Sequence, residues 1–358
     1  MQDNQFDARS RGTLLRLAGV ALSTSLALGA CASHEPPLST QPVAASAPTA
    51  AALPSWQDRA ARAAVLKFVS EVTQQGTPNY VPPEARIAVF DNDGTLWSEQ
   101  PMPFQLLFMI DQLKAQAPHH PEWQRNPAFK ALLAHDKTAL VENQKALLQL
   151  LAVANSGMTT DAYDESIRTW LATTRHPTLG RPYTDLVYQP QLELLDLLKA
   201  NGFTVWIVSG GTVEFMRVWA SKAYGIAPEH MVGTEERLEY EMRDGKPVLI
   251  RQPGMDFVND KAAKPVGIYR AIGRRPILAF GNSDGDREML EYTTGGSGPS
   301  LGLLLHHDDA AREFAYDRNA GATTLDKAWD AAQARGWVVV SMKQDWKTVY
   351  PAPKASGQ

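Results

Sequence analysis

Two acids one residue apart, Asp91 and Asp93, close the apolar run in "IAVFDNDGTLW", Ile87 to Trp97. Like charges that close raise each other's pKa, so a chain that keeps both needs a cation beside them or a proton to move. Two other apolar runs end in the same way. "VWIV" stops at Ser209, Gly210 and Gly211, and "ILAF" stops at "GNSDGD", which carries Asn282, Asp284 and Asp286. Carboxylates and a side-chain amide gathered in one place make a hard oxygen site, suited to Mg²⁺ with some waters kept. A divalent cation there would hold Asp91 ionised while Asp93 carries a proton.

Those residues meet only if their strands run side by side in the same direction. The pattern from residue 189 onward predicts that arrangement: "PQLELLDLLKANG" reads as a helix closed by Gly202, "FTVWIV" as a buried strand, "TVEFMRVWASKAYG" as a helix and "ILAF" as another buried strand. Such alternation implies an α/β fold, a parallel sheet with helices on both faces. Ligands of open α/β sheets sit just outside the carboxyl ends of the strands. Between these elements, "LEYEMRDGKPVLI" predicts a hairpin turning at Asp244 and Gly245. Residues 97–186 have another texture, helix-like with almost no strand signal, and read as an inserted, mobile helical cap domain. The core domain then comprises residues 55–96 and 187–350, with a tail at 351–358.

With these motifs in place the sequence resembles the haloacid dehalogenase superfamily, in its phosphatase branch. "DNDGT" matches the family's DxDGT motif, "VSGG" its strand ending in Ser or Thr, and "GNSDGD" its acidic fourth motif, with a lysine ahead of it. The cap resembles that of phosphoserine phosphatases, and the sheet is expected to be Rossmann-like. The resemblance implies that Asp91 is the nucleophile forming an aspartyl-phosphate, and that Asp93 is the general acid and then the base that activates water. It implies that Ser209, with Gly210, binds the phosphoryl group, helped by a lysine; family spacing favours Lys264 over Lys261. Mg²⁺ would be held by Asp91, the main-chain carbonyl of Asp93, Asn282 and Asp286, the last directly or through water.

Asn282 stands where the family usually has an acid. Restoring that acid, Asn282→Asp, is expected from sequence to strengthen Mg²⁺ binding. Glu99 reads either as a contact for a substrate ammonium, by family likeness, or as an exposed loop residue. Trp97 and Phe104 read as hinge or cap core instead of an aromatic cage, and His306 and His307 as structural. Asp284 is an extra acid with no role assigned by the motif.

The chain ahead of the domain reads as an export signal. Arg9, Arg11 and Arg16 precede "LAGVALSTSLALGA", too short for a comfortable membrane span, and "LGAC" resembles the lipobox of bacterial lipoproteins. Residues 1–30 are thus expected to be a lipoprotein signal, Cys31 the lipidated residue and residues 31–54 a flexible tether rich in Pro, Ala and Ser. Ala32 after the cysteine favours the outer membrane, so the expected place is the periplasmic side of the envelope, with the membrane touched through a lipid anchor only. Cys31 is the sole cysteine, which excludes a disulfide within the chain. The formal charge of −4 over 358 residues, with no Lys/Arg cluster, gives no support for nucleic-acid binding. The expected activity is a Mg²⁺-dependent phosphomonoesterase acting on a small phosphorylated metabolite. The alternatives are a phosphotransferase or phosphomutase with the same intermediate, or a catalytically inactive envelope-binding lipoprotein. Neither substrate nor oligomeric state is legible in the sequence.

Overall fold

Ile87–Phe90, the four apolar residues ahead of the two acids, form β1, the middle strand of the sheet, and all four are buried. Alternate side chains of β1 enter different cores: Ala88 and Phe90 join one apolar cluster, Ile87 and Val89 another. That period of two is what a strand covered on both faces produces. The computed structural model describes residues 52–352, apart from parts of 135–155 and residues 319–322. Cys31, the leader, most of the tether, much of the helix expected near 137–154 and nearly all of the tail lie outside the described residues.

The other strands are β2 (Thr204–Thr212), β3 (Met231–Arg243), β4 (Lys246–Phe257), β5 (Leu278–Gly281), β6 (Leu301–Asp308), β7 (Ala315–Tyr316) and β8 (Val338–Ser341). They line up as β4-β3-β2-β1-β5-β6-β7, with β8 paired to β6. The pairs β1–β2, β1–β5, β2–β3, β5–β6 and β6–β8 are parallel; β3–β4 and β6–β7 are antiparallel. Phe90 lies opposite Ile207 on one side and Phe280 on the other, so the polar residues that follow these three strands emerge at one level. The hairpin turns at Asp244 and Gly245, both at positive φ (52° and 77°), as a tight two-residue turn requires.

Among the described residues the helices of seven residues or more are α1 (Ala60–Thr73), α2 (Phe104–Gln116), α3 (Pro127–Leu133), α4 (Thr160–Thr173), α5 (Gln189–Ala200), α6 (Val213–Tyr224), α7 (Ala263–Ile272), α8 (Arg287–Thr294) and α9 (Lys327–Arg335). Helices α2 to α4 belong to the insertion after the motif loop. The ring of Phe108 on α2 meets Tyr163 and Trp170 of α4 at 5.7 Å and Phe215 of α6 at 5.6 Å. The inner side of the insertion therefore shares the main core, while Leu113, Trp123, Phe129 and Leu132 form a separate outer cluster. Among the described residues no helix is long and apolar enough to cross a membrane.

Where α4 meets α6 and the hairpin, a charged group is held out of water. Glu214, at the start of α6, is pushed up to about 7, first by burial and then by repulsion from Glu236. A carboxyl raised in the folded state contributes stability that is complete below its ordinary value near 4.5 and is lost as pH rises through about 7. Glu214→Gln is therefore expected to melt several degrees above the wild type at pH 8.5, with the gap closing by pH 5. Melting curves at both pH values check this; a gap that does not change with pH would contradict it.

Candidate active site

The loop after β1 is set by one backbone knot. The carbonyl of Asn92 accepts from the main-chain N–H of Thr95 and Leu96, at 3.1 and 2.8 Å. Gly94 sits in this turn at φ 77°, and a Cβ there would lie 2.1 Å from Asn282 Nδ2 and 2.5 Å from Glu99 Oε1. Only glycine satisfies both the dihedral and the space. His307 on β6 fixes the same residue from behind, Nε2 to the Gly94 carbonyl at 2.7 Å, and its Nδ1 lies 3.1 Å from the buried carboxylate of Glu313. Burial alone would raise Glu313, but His307, Ser98 and the Phe314 backbone N–H together hold it below the usual carboxylate range.

Asp91 follows β1 directly. Lys264, in the first turn of α7, brings its Nζ within 2.6 Å of Asp91 Oδ1 and 2.6 Å of Asp286 Oδ1. Lys261, the alternative from sequence, is exposed, on backbone at φ 52°. Asp286 uses its second oxygen to accept from the main-chain N–H of Asn282 and Ser283, both at 3.0 Å, and from the Ser283 hydroxyl. Asp286 thus ties Lys264 to the 282–283 loop, one oxygen facing the ammonium and the other the loop.

One ammonium thus serves two buried carboxylates, with Asp93 close by. Burial alone would lower Lys264, but Asp286 and Asp91 outweigh it and hold the ammonium protonated beyond its ordinary range. Asp91 is raised by burial and then by Asp286, more than Lys264 draws it down. Asp93 is raised as well, chiefly by burial. The cluster is short of positive charge. Removing the lysine would strand two acids, so Lys264→Met is expected to cost about 3–5 kcal/mol of stability. Urea unfolding measures this, and a variant as stable as the wild type would contradict the pairing.

Asp93 has different neighbours. The indole Nε1 of Trp97 donates to its Oδ1 at 2.9 Å, and the Ser209 hydroxyl reaches its Oδ2 at 3.5 Å, the long end of a hydrogen bond. Ser209 Oγ itself accepts from the Gly211 N–H at 3.0 Å. Gly210 is exposed, and its carbonyl accepts from Thr234 Oγ1 at 2.7 Å. From the insertion, Gln105 donates to Thr212 Oγ1 at 2.7 Å and accepts from the Thr212 N–H at 2.8 Å, which ties α2 to the last residue of β2.

Asn282 and Glu99 complete the floor. Asn282 Oδ1 accepts from Thr95 Oγ1 at 3.0 Å and its Nδ2 donates to Glu99 Oε1 at 2.9 Å. Burial pushes Glu99 up to about 8, against the hydrogen bond from Tyr316. Among the described residues no three Asp, Glu, His or Cys side chains converge on one point to hold an ion. The donors present are mixed: the second oxygen of Asp91, which makes no hydrogen bond among the described residues, the main-chain carbonyl of Asp93, and Asn282 Oδ1 with one lone pair left. Such a set, oxygen only and low in charge, fits a small hard cation that keeps several waters.

A family model described as haloacid dehalogenase-like hydrolase matches residues 88–291, more than half of the chain, from β1 into α8. The chain belongs to this family. Among solved structures it is similar to a protein of unknown function from Bordetella pertussis Tohama I (16% identity, TM-score 0.44, covering 71% of this chain and 97% of that one). It is also similar to a phosphoserine phosphohydrolase-like protein from Francisella tularensis subsp. tularensis SCHU S4 (18% identity, TM-score 0.39, covering 73% and 95%). No curated protein matches the chain.

Within the haloacid dehalogenase-like frame the structure brings Asp91, Asp93, Ser209, Lys264, Asn282 and Asp286 to one edge. It does not bring Asp284 there: that carboxylate accepts from the N–H groups of Asp326 and Ala328 at 3.0 and 2.8 Å and anchors the start of α9. His306 is also aside, edge-on to Trp329 at 4.7 Å. Glu99 is neither exposed nor open to a substrate, being 2% exposed and enclosed by side chains. Three contributors carried no signal of their own in the sequence. Tyr316 and Thr323 reach Glu99 from more than 200 residues away, and Trp97, read as hinge or cap core, is buried against Trp219 at 3.9 Å and also donates to Asp93.

Proposed function

We propose that this haloacid dehalogenase-like hydrolase is a Mg²⁺-dependent phosphomonoesterase that works through an aspartyl-phosphate on Asp91. The observation that carries the reading is the division of labour between two acids. Asp91 has one oxygen 2.6 Å from the Lys264 ammonium and the other without a hydrogen bond among the described residues, while Asp93 sits beside it among the neutral donors of Trp97 and Ser209. The first arrangement suits a nucleophile and the second a proton carrier.

The unbonded oxygen of Asp91 attacks phosphorus as the ester P–O bond breaks, and Asp93 gives its proton to the departing alkoxide. Asp93, now ionised, takes a proton from water, whose oxygen attacks the phosphorus of the aspartyl-phosphate; the acyl-phosphate P–O bond breaks and Asp91 is restored. Lys264 stays protonated and offsets the negative charge of nucleophile and phosphoryl group, while Ser209 and Gly210 at the end of β2 receive phosphoryl oxygens. Mg²⁺, when bound through Asp91, the Asp93 carbonyl and Asn282, supplies the remaining positive charge. Trp97 keeps the Asp93 carboxyl oriented between the two steps.

The test is release of an aryl alcohol from a generic aryl phosphate, with Mg²⁺ and after chelation. Activity that depends on Mg²⁺ is expected, and a panel of phosphomonoesters then ranks substrates. Absence of hydrolysis across the panel with Mg²⁺ present would overturn the reading. Placement on the periplasmic side through lipidated Cys31 is part of the proposal. Cys31→Ser should abolish incorporation of labelled fatty acid, and unchanged labelling would remove the anchor.

A further inference from the structure

The sheet alone does not hold Ser209, Gly210 and Gly211. Val208 pairs with Val232 and Thr212 with Thr234, and between these pairs the three residues stand against Gly233 alone. A bulge leaves its extra residues unpaired and disrupts the ladder locally. Other groups take over. Asn259 Nδ2 donates to the Ser209 carbonyl at 2.9 Å, Thr234 Oγ1 to the Gly210 carbonyl at 2.7 Å, and the Gly211 N–H to Ser209 Oγ at 3.0 Å. Those anchors come from the core; the remaining one comes from the insertion. Gln105, in the first turn of α2 and 8% exposed, turns its amide oxygen to the Thr212 N–H at 2.8 Å and its nitrogen to Thr212 Oγ1 at 2.7 Å. A backbone N–H can only donate, so the orientation of this amide is fixed without reference to any charge. The same amide oxygen would lie 2.8 Å from a Cβ on Gly211, with Ser209 Oγ 3.3 Å and Asp93 Oδ2 3.7 Å from that point. The glutamine, the serine hydroxyl and the acid crowd about one bare glycine.

We propose that Gln105 is a positioning residue for phosphoryl binding: through Thr212 it sets Gly211, and through the Gly211 N–H it sets the hydroxyl of Ser209. The insertion thereby completes the phosphoryl site without touching the phosphoryl group. Ser209 Oγ accepts from Gly211, which leaves its O–H to point at a phosphoryl oxygen or at Asp93. Where it points follows from where Gly211 lies. Two glycines in succession give this bulge little stiffness of its own, so an anchor at its far end decides its shape. The phosphoryl half of the proposal rests on the phosphomonoesterase reading given above; the hold of Gln105 on Gly211 does not.

Three variants test this: Gln105→Met, which keeps the length of the side chain and loses both contacts, Thr212→Val, which loses one, and the two combined. Amide exchange of glycine-labelled protein, followed by nuclear magnetic resonance, reads the hold without any ligand. The Gly211 N–H, whose own partner is Ser209, is expected to exchange about 10-fold faster in Gln105→Met, while Gly302 within β6 keeps its rate. An unchanged rate at Gly211, or an equal acceleration at Gly302, would overturn the hold. Calorimetric titration with inorganic phosphate, Mg²⁺ present, and steady-state kinetics on an aryl phosphate read the phosphoryl half. Gln105→Met is expected to bind phosphate about 10-fold more weakly, the worth of roughly one net hydrogen bond, and to raise KM by a similar factor with kcat nearly unchanged. Unaltered phosphate affinity, or a loss confined to kcat, would overturn the positioning role. Thr212→Val should show the smaller loss and the double variant no more than Gln105→Met alone; additive losses would mean separate roles and count against the proposal. If the wild type neither binds phosphate nor hydrolyses the ester, the phosphomonoesterase reading fails and the phosphoryl half with it, while the exchange rates still decide the hold. Should Gln105→Met fail to fold, Thr212→Val carries the same readouts: a roughly threefold change at Gly211 and in phosphate affinity supports the proposal, and no change overturns it.

Discussion

Asp91→Asn is expected to bring turnover down to background, a loss on the order of 10⁶-fold, the scale reached when an enzyme's nucleophile is removed. The loss should be as complete for an aryl phosphate with a very good leaving group as for an alkyl phosphate, because no aspartyl-phosphate can form at all. Folding should not suffer. Asparagine keeps an oxygen for Lys264, and it relieves the competition of two carboxylates for one ammonium. Steady-state assays on both substrate types, with a melting curve alongside, measure the two effects separately. Substantial turnover in this variant would move the nucleophile elsewhere.

Asp93→Asn should divide the reaction instead of abolishing it. Proton donation matters most when the leaving alcohol is poor, and it is typically worth about 10² to 10⁴ in rate. An acidic phenol can leave without it, so the variant should still release phenol in a burst no larger than one per enzyme. Turnover then stalls because water is no longer activated for the second step. Rapid-mixing kinetics resolves the burst. If Asp93→Asn lost the burst and Asp91→Asn kept it, the two carboxylates would have exchanged roles.

The strands were legible because each obeys a simple rule: a short apolar run, buried on both faces, stops abruptly at polar residues. That rule alone located Asp91, Ser209 and Asn282, and the observed register of Phe90 with Ile207 and Phe280 shows why they meet. Lys264 and Lys261 could not be separated as firmly, since both precede the same helix. Burial separates them, and burial is a property of the assembled sheet. Glu99 was misjudged for a related reason. A glutamate in a loop is ordinarily solvated, and nothing near it in sequence announces Tyr316 or Thr323. His307 and Glu313, which brace the motif loop, likewise belong to strands and turns near the far end of the chain. What sequence conveys well is periodicity and local chemistry. Partners brought in from a distance need the fold.

The central place of β1 has a consequence for how the protein comes into being. Ile87 pairs with Thr204, and Ala88 with Leu278, so the strand that leads into Asp91 is made long before either neighbour. At synthesis rates of about 5–20 residues per second, it waits roughly ten to forty seconds for β5 to be made. During that interval its edges are open and its apolar face is uncovered, a state in which nascent chains are prone to mispair. The motif loop cannot take its final shape on a half-made chain. The assembled motif edge is thus a late event in biogenesis, complete only when the last third of the polypeptide has been delivered.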